Sequence, residues 1–398
     1  SEMCIRDSNR KLVKCMEIYL DNSATTKPYK EVIDKMVYAL DTDYANPSSL
    51  HRKGVEVEKN IKNIRQSIAK TLGAKDKEIY FTSGGTESNN TIIRGIVALN
   101  KKRKNHIIST TIEHPSVLNT LKDLESEGCE VTYLEVDKNG KIDIEEFKNA
   151  LKPTTCLVTI MHVNNEIGSI QPIQEISKHL KTLKDKVYLH VDAVQSYAKI
   201  NFRPSRYNID FMSVSGHKVH GPKGIGFIYV KENNRIKPIL TGGGQEIGIR
   251  SGTENTPGIY GLGEAIRIIN EDLDGKIEKI KNLRDLLQKE IMENIEDIKI
   301  NSPEDGVCHI LNVTFYGIKG EVLLHYLEQK GVYVSTGSAC SSKKKGSHVL
   351  NAIGLSPQEI EGAIRFSLSD LNTEEEIKEA VKIVKESVSD LRMIMRRR

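Results

Sequence analysis

From Met16 onward the chain alternates short apolar runs with longer stretches in which apolar residues recur every three or four positions. The runs EIYFTS (78–83), HIISTT (106–111), CLVTIMHV (156–163), VYLHVD (187–192), DFMSVS (210–215) and IGFIYV (225–230) have the length and β-branched content of buried strands. Between several of them, ESNNTIIRGIVALNKK (87–102), PSVLNTLKDLESEG (115–128) and IQEISKHLKTLK (173–184) carry the helical period. Apolar strands separated by amphipathic helices predict an α/β fold with a mostly parallel sheet covered on both faces. Ligands of such sheets bind beyond the carboxyl ends of the strands, so the segments that follow the runs are where chemistry is expected.

The pattern changes after Gly263. Lys276 to Glu293 reads as one long helix on Ile277, Ile280, Leu287 and Ile291, and HILNVTFY (309–316) and VYVST (332–336) read as strands. A closing helix starts at Thr373 and Glu376, which have capping-box spacing, and is buried through Ile377, Val381, Val384, Val388 and Leu391. These signals predict a large domain over 16–262 and a smaller α+β domain over 263–398. Residues 1–15, SEMCIRDSNRKLVKC, show no period and are expected to be a non-native or disordered extension.

Composition narrows the function classes. With 38% hydrophobic and 28% charged residues in 398, disordered and fibrous classes are excluded. Lys and Arg number 58 against 54 Asp and Glu, a surplus of 4 that does not predict direct nucleic-acid binding, and the terminal MRRR suits a solvated helix end. No run approaches a membrane span of about 18 apolar residues, and the first residues lack an apolar signal core, so a soluble, cytoplasmic protein with no membrane partner is expected. Six cysteines are scattered without a C-x-x-C pair or zinc spacing, which predicts no disulfide framework and no metal site.

Several strand-end segments could carry chemistry. SGGTESNN (83–90) opens a helix with free N–H groups and hydroxyls that could hold a phosphate, although such turns are often only turns. Asp192 follows an apolar strand, where a carboxylate needs a partner or a crevice, helix capping being the plainer alternative. Lys218 follows Ser215, Gly216 and His217; a lysine there could be desolvated enough to act as an amine nucleophile, whereas most lysines are solvated surface charges. Asn164, Asn165 and Glu166 end another strand, and TGGGQEIGIRSGTEN (241–255) has no regular period, so a ligand or partner subunit is expected to hold it. Cys340 lies in STGSACSSKKKGS (335–347), where Lys343 to Lys345 would favour a thiolate.

Taken together, YLDNSATT (19–26), SGGTES (83–88), EHPS (113–116), MHVNNEIG (161–168), HVDAVQS (190–196), SGHK (215–218), RSGTEN (250–255) and STGSAC (335–340) closely resemble, in order, the motifs of the NifS/IscS-type cysteine desulfurases. These are pyridoxal-phosphate enzymes of the class V aminotransferase superfamily, and the resemblance runs from about Met16 to the C-terminus. It implies fold type I of the pyridoxal-phosphate transferases, with a seven-stranded-type sheet and a smaller domain carrying a mobile cysteine loop over about 335–347. It also implies that Lys218 binds the cofactor covalently and moves the substrate Cα proton. By the same resemblance Asp192 partners the pyridine nitrogen, Gln195 lies near the phenolic oxygen and His114 stacks on the ring as an acid or base. Gly85, Thr86, Ser215 and His217 match the phosphate cup, and Thr253 the threonine that reaches it from the second subunit of a homodimer. Asn165 and Arg365 match the substrate-carboxylate ligands.

The reaction so implied converts L-cysteine to L-alanine and leaves the sulfur on Cys340 as a persulfide. An acceptor protein, either an iron–sulfur cluster scaffold or a tRNA-thiolation enzyme, would then receive it. Gly85 stands where many relatives carry alanine, a change expected to be harmless because the position contributes backbone. The stretch after Cys340 carries a lysine triplet and is slightly shorter than in the housekeeping scaffold-charging members, similar to a subgroup associated with tRNA thiolation. Competing readings are a selenocysteine lyase or another class V reaction, and a catalytically silent sulfur-transfer scaffold. Cys340 in a polar loop favours sulfur transfer over transamination, and the presence of Lys218, Asp192, His114 and Cys340 gives inactivation no support.

Overall fold

In the computed structural model, which describes residues 17–101, 103–336 and 346–396, β1 (Ile18–Tyr19) is followed by a seven-stranded sheet. Its strands are β2 (Ile79–Thr82), β3 (His106–Thr110), β4 (Glu130–Leu134), β5 (Thr155–Met161), β6 (Tyr188–Asp192), β7 (Phe211–Ser215) and β8 (Gly226–Val230). Their spatial order is β2-β8-β7-β6-β5-β3-β4. Neighbours from β4 through β7 pair in parallel, while β8 runs antiparallel to both β2 and β7. Every residue of β3, β5, β7 and β8 is buried, which is why these strands read as continuous rather than alternating apolar runs.

Helices cover both faces. Ile92 and Ile96 of the helix Gly85–Asn100 and Val117 and Leu121 of Pro115–Ser126 share a cluster with Ile107, Leu157 and Phe211. The opposite face, with Ile108, Val158 and Met212, packs on Ile61 and Ile68 of Arg52–Leu72, Ile176 of Ile173–Leu180 and Tyr260 and Ile266 of Thr256–Glu271. The predicted strands all form, but β4 escapes the sequence pattern because it is an edge strand with one fully buried residue in five. The helix Lys30–Asp41 escapes it too, since Ile33, Val37 and Leu40 are exposed apolar residues that obscure its buried stripe.

A second cluster surrounds an antiparallel sheet of β9 (Ile298–Ile300), β10 (Ile310–Phe315) and, after β11 (Val332–Tyr333), β12 (Ala363–Ser367), with β10 central. The helices Leu273–Asn294, Gly320–Gln329 and Glu374–Arg396 pack on it. The last starts with the predicted box: Glu376 N donates to Thr373 Oγ1 and Thr373 N to Glu376 Oε2, each at 3.2 Å. The point between residues 262 and 263 lies inside the helix Thr256–Glu271, whose Ala265, Ile266 and Ile269 still belong to the larger core. Ile18 and Leu20, conversely, are buried in the smaller cluster, and β1 pairs in parallel with β11. Residues 1–16, Cys340 and residues 337–345 of the predicted loop lie outside the described residues. No helix among the described residues is long and apolar enough to cross a membrane.

The irregular stretch 241–255 is held within this chain by two ion pairs, not solely by a ligand or partner. Glu246, with its side chain 3% exposed, receives Arg65 Nη1 and Nη2 at 2.7 Å each and the Phe81 N–H at 2.8 Å. Arg250 Nε meets Glu87 Oε1 at 2.9 Å, fixing the far end of the stretch to the first turn of the helix Gly85–Asn100. Replacing one partner leaves a buried charge uncompensated. Arg65→Ala should therefore destabilise the protein by about 3–5 kcal/mol in urea unfolding, and adding Glu246→Gln should recover part of the loss.

Candidate active site

The turn after β2 reverses through Gly84 at φ 144°, a value open to glycine, and the sixteen-residue helix Gly85–Asn100 begins directly after it. Thr82 Oγ1 and Ser88 Oγ pair at 2.7 Å beneath the turn. Thr86 is exposed at the helix N-terminus, where N–H groups and the helix dipole favour an anion. Ser215, buried at the end of β7, faces this turn: a Cβ on Gly84 would lie 3.5 Å from its Oγ. A Cβ on Gly85 would lie only 2.9 Å from Val194 Cγ2, so alanine is not accommodated here without movement of Val194.

Asp192 ends β6 and is 5% exposed. One carboxylate oxygen accepts the Val194 N–H at 3.0 Å, and the other accepts Asn89 Nδ2 at 2.8 Å. Asn89 Nδ2 also donates to Ser116 Oγ at 2.9 Å, and Ser116 Oγ lies 2.8 Å from His114 Nδ1. The Ser116 backbone N–H donates to the same ring nitrogen at 3.1 Å, so Nδ1 is an acceptor and the neutral imidazole carries its proton on Nε2. His114 caps the helix Pro115–Ser126 and is exposed at the crevice mouth. The surrounding protein still removes enough water to lower its pKa; Asp192 opposes the effect, while Lys218 and His348 add to it.

Lys218 sits on the turn Gly216–Lys218 that leaves β7. Its Nζ donates to the carbonyl oxygens of Ser23 at 2.5 Å and Ala24 at 2.8 Å, and Gln195 Nε2 donates to the same Ser23 oxygen at 2.9 Å. Thr26 fastens this segment to the turn, with its N–H and hydroxyl both donating to the His217 carbonyl at 2.8 and 2.9 Å. His217 is pushed down to about 4 by burial and by Lys218, Lys223 and Lys199, so it stands neutral beside the turn.

Arg365, on β12 and 5% exposed, reaches the strand-end loop of the large sheet. Its Nη1 donates to the Asn165 carbonyl oxygen at 2.9 Å and its Nη2 to Asp21 Oδ1 at 2.8 Å, while its buried Nε has no protein partner among the described residues. Asn165 and Arg365 are thus adjacent, through the backbone of one and the side chain of the other. Thr253 is exposed and makes no side-chain hydrogen bond among the described residues.

Three groups at the site lay outside the sequence reading. Asn89 and Ser116 join Asp192 to His114, and their positions inside SGGTESNN and EHPS were the available signal. Glu113, completely buried, accepts the Met161 N–H at 3.0 and 2.9 Å and Thr110 Oγ1 at 2.7 Å. Burial pushes its carboxyl up to about 8, with Asp192 adding to the rise. Glu166 is similarly raised to about 7, by burial, and receives Ser347 Oγ. Neither acid announces its burial in a linear pattern.

Two outcomes follow. Gly85→Ala should destabilise the protein by about 1–2 kcal/mol through overpacking, and Val194→Ala in the same chain should relieve it, as thermal unfolding of the single and double variants will show. Glu113 holds a proton in the folded state at pH values where the unfolded state has lost it. Its contribution is therefore fully present below about 4.5 and is lost as pH rises toward and through about 8. The stability of Glu113→Gln relative to the unaltered protein should rise between pH 5 and 8 by at least about 1 kcal/mol in urea titrations.

Comparison with known proteins identifies the family. Residues 18–380 match the Aminotransferase class-V family. The chain is 42% identical to the cysteine desulfurase IscS of Clostridium botulinum, over 94% of this chain and 95% of that one. It is 43% identical to that of Dictyoglomus turgidum, over 95% and 96%. A solved NifS-like protein superposes with a TM-score of 0.89 at 38% identity, covering 94% of this chain and all of the other. SspA, solved in complex with cysteine, superposes with a TM-score of 0.80 at 38% identity, covering 90% and 100%. The chain belongs to the class V aminotransferase family and, within it, to the pyridoxal-phosphate-dependent cysteine desulfurases of the NifS/IscS type.

Proposed function

We propose that the crevice at the ends of β2, β6 and β7 is where this cysteine desulfurase holds its cofactor and acts on L-cysteine, in the cytoplasm, as a homodimer. The observation that carries the reading is the hydrogen-bonded array Asp192–Asn89–Ser116–His114, with Lys218 on the adjoining turn. The residues fit pyridoxal phosphate: a side-chain-free turn at Gly84 and Gly85 opens a helix N-terminus, and a buried carboxylate stands at the end of β6. When bound, the cofactor supplies an electron-withdrawing ring that takes up the charge left as the substrate Cα loses its proton.

Gly85, Thr86, Ser215 and neutral His217 would hold the phosphate, and Thr253 of the partner subunit would complete the cup. Asp192 would keep a proton on the pyridine nitrogen, and Gln195 would offer its amide to the phenolic oxygen. Lys218 would hold the cofactor through its amine, and Nζ would move the substrate Cα proton. His114 stands as the acid or base at the ring face, with its Nε2 proton set by Ser116. Arg365 receives the substrate carboxylate, for which its unpartnered Nε and planar fork are suited, and Asn165 lies beside it. The Cys340 thiolate would attack the substrate sulfur: an S–S bond forms as the C–S bond breaks, the electron pair of the broken bond goes to carbon, which takes up a proton, and the carbon skeleton leaves as L-alanine.

The dimer reading is supported by exposed apolar residues in the helix Lys30–Asp41, where Ile33, Val37 and Leu40 share one face, and by Leu50, which is 97% exposed. Delivery of sulfur to an iron–sulfur scaffold or a tRNA-thiolation enzyme rests on the resemblance of the cysteine loop. Incubation with pyridoxal phosphate and L-cysteine should yield alanine and reductant-releasable sulfide in equal amounts. Cys340→Ala should abolish turnover with the cofactor retained, and Lys218→Ala should lose the absorbance of covalently held cofactor. Full activity in Cys340→Ala, or neither product from cofactor-loaded protein, would overturn the reading.

A further inference from the structure

A second lysine lies behind the first. We infer that Lys199 is a positioning residue for Lys218, fixing the amide of Gln195 and placing a positive charge behind the Lys218 amine. The inference rests on the reading that Lys218 carries the cofactor.

The geometry is a short array with an ammonium at each end. Lys199 Nζ donates to Gln195 Oε1 at 3.2 Å, Gln195 Nε2 donates to the Ser23 carbonyl at 2.9 Å, and that carbonyl receives Lys218 Nζ at 2.5 Å. Rotating the Gln195 amide by a half-turn would set its NH₂ against the Lys199 ammonium, donor facing donor, and its oxygen against the Ser23 carbonyl oxygen. Lys199 therefore selects one of the two amide orientations. The selected one keeps the NH₂ group, with a second hydrogen to offer, on the side of Lys218.

The surroundings leave the charge of Lys199 largely unopposed by carboxylates. Lys199, Lys218, His309 and Asp370 line one cavity with about 30 Å³ open to the centres of water-sized molecules. Asp370 is the only carboxylate lining it among the described residues, and it is already engaged by Tyr29 Oη at 2.9 Å, His220 Nε2 at 3.1 Å and Lys276 at 3.8 Å. His309 is held neutral by burial and by Lys199 and Arg365, so it adds no further positive charge. Lys199 itself is drawn down to about 7, first by burial and then by Lys218, with Arg365 adding to the fall and Cys308 opposing it. His217 feels both lysines and is neutral as well. Like charges lower each other's proton affinity, so below about pH 7, where Lys199 is charged, it favours the unprotonated amine that Lys218 needs as nucleophile and base.

The test is a pH titration of the visible absorbance of the bound cofactor, which reports protonation at Lys218 Nζ and does not require turnover. Lys199→Met should raise the midpoint by about one pH unit. Lys199→Gln, which keeps a donor toward Gln195 without the charge, should raise it comparably, and Lys199→Arg should leave it in place. An unchanged midpoint in both neutral variants, with normal absorbance, would overturn the inference while leaving the assignment of Lys218 intact. A packing role alone would lower thermal stability or cofactor occupancy without moving the midpoint. Absence of the absorbance from the unaltered, cofactor-supplemented protein would overturn the assignment of Lys218, and this inference with it.

Discussion

Two backbone carbonyl oxygens, those of Ser23 and Ala24, receive the Lys218 ammonium, and the first also receives the amide of Gln195. Carbonyl dipoles can hold a cation at a strand end without the full charge of a carboxylate, which would raise the proton affinity of the amine. The arrangement works only if the segment Leu20–Thr26 is itself rigid. It is tied on one side by the Ser367 N–H to Leu20 O at 2.7 Å and the Ser23 N–H to Ser367 Oγ at 2.8 Å, and on the other by Thr26 to His217. One extended strip thus fixes the position of the reactive amine relative to both hydrophobic cores.

The remaining electrostatics follow a common rule: ionisable groups sit where burial or a neighbour sets their protonation state. Burial keeps Glu113 and Glu166 toward their neutral forms, while His217 and His309 are depressed and uncharged. Asp192, like Glu113, receives a side-chain and a backbone donor, here Asn89 Nδ2 and the Val194 N–H.

Much of this was legible in the chain. The strands β5, β7 and β8 are buried on both faces, so their apolar runs are unbroken, and the segments that follow them stand out by contrast. Lys218 and Asp192 were accessible because each stands at the end of such a run, whereas His114 and Arg365 were reached only through the family resemblance. What the sequence withheld was set by long-range pairing. Arg65 and Glu246 are 181 positions apart, and nothing in either neighbourhood marks them as partners. Asp21 stands in a recognised motif, but its pairing with Arg365 spans 344 positions. The 2.9 Å that a Cβ at Gly85 would keep from Val194 Cγ2 is set by how a helix start packs on a distant turn, which no residue pattern encodes.

The strip from Leu20 to Thr26 has a temporal corollary. Its anchors to Ser367 join positions 344 or more apart, so during synthesis on the ribosome this early segment must wait for β12, the last strand among the described residues, before it can dock. The large sheet can assemble earlier, since β2 to β8 lie within residues 79–230. A nascent chain should therefore pass through a stage in which the scaffold is folded but the lysine cradle is open, and competence to retain the cofactor should arise abruptly, late in translation.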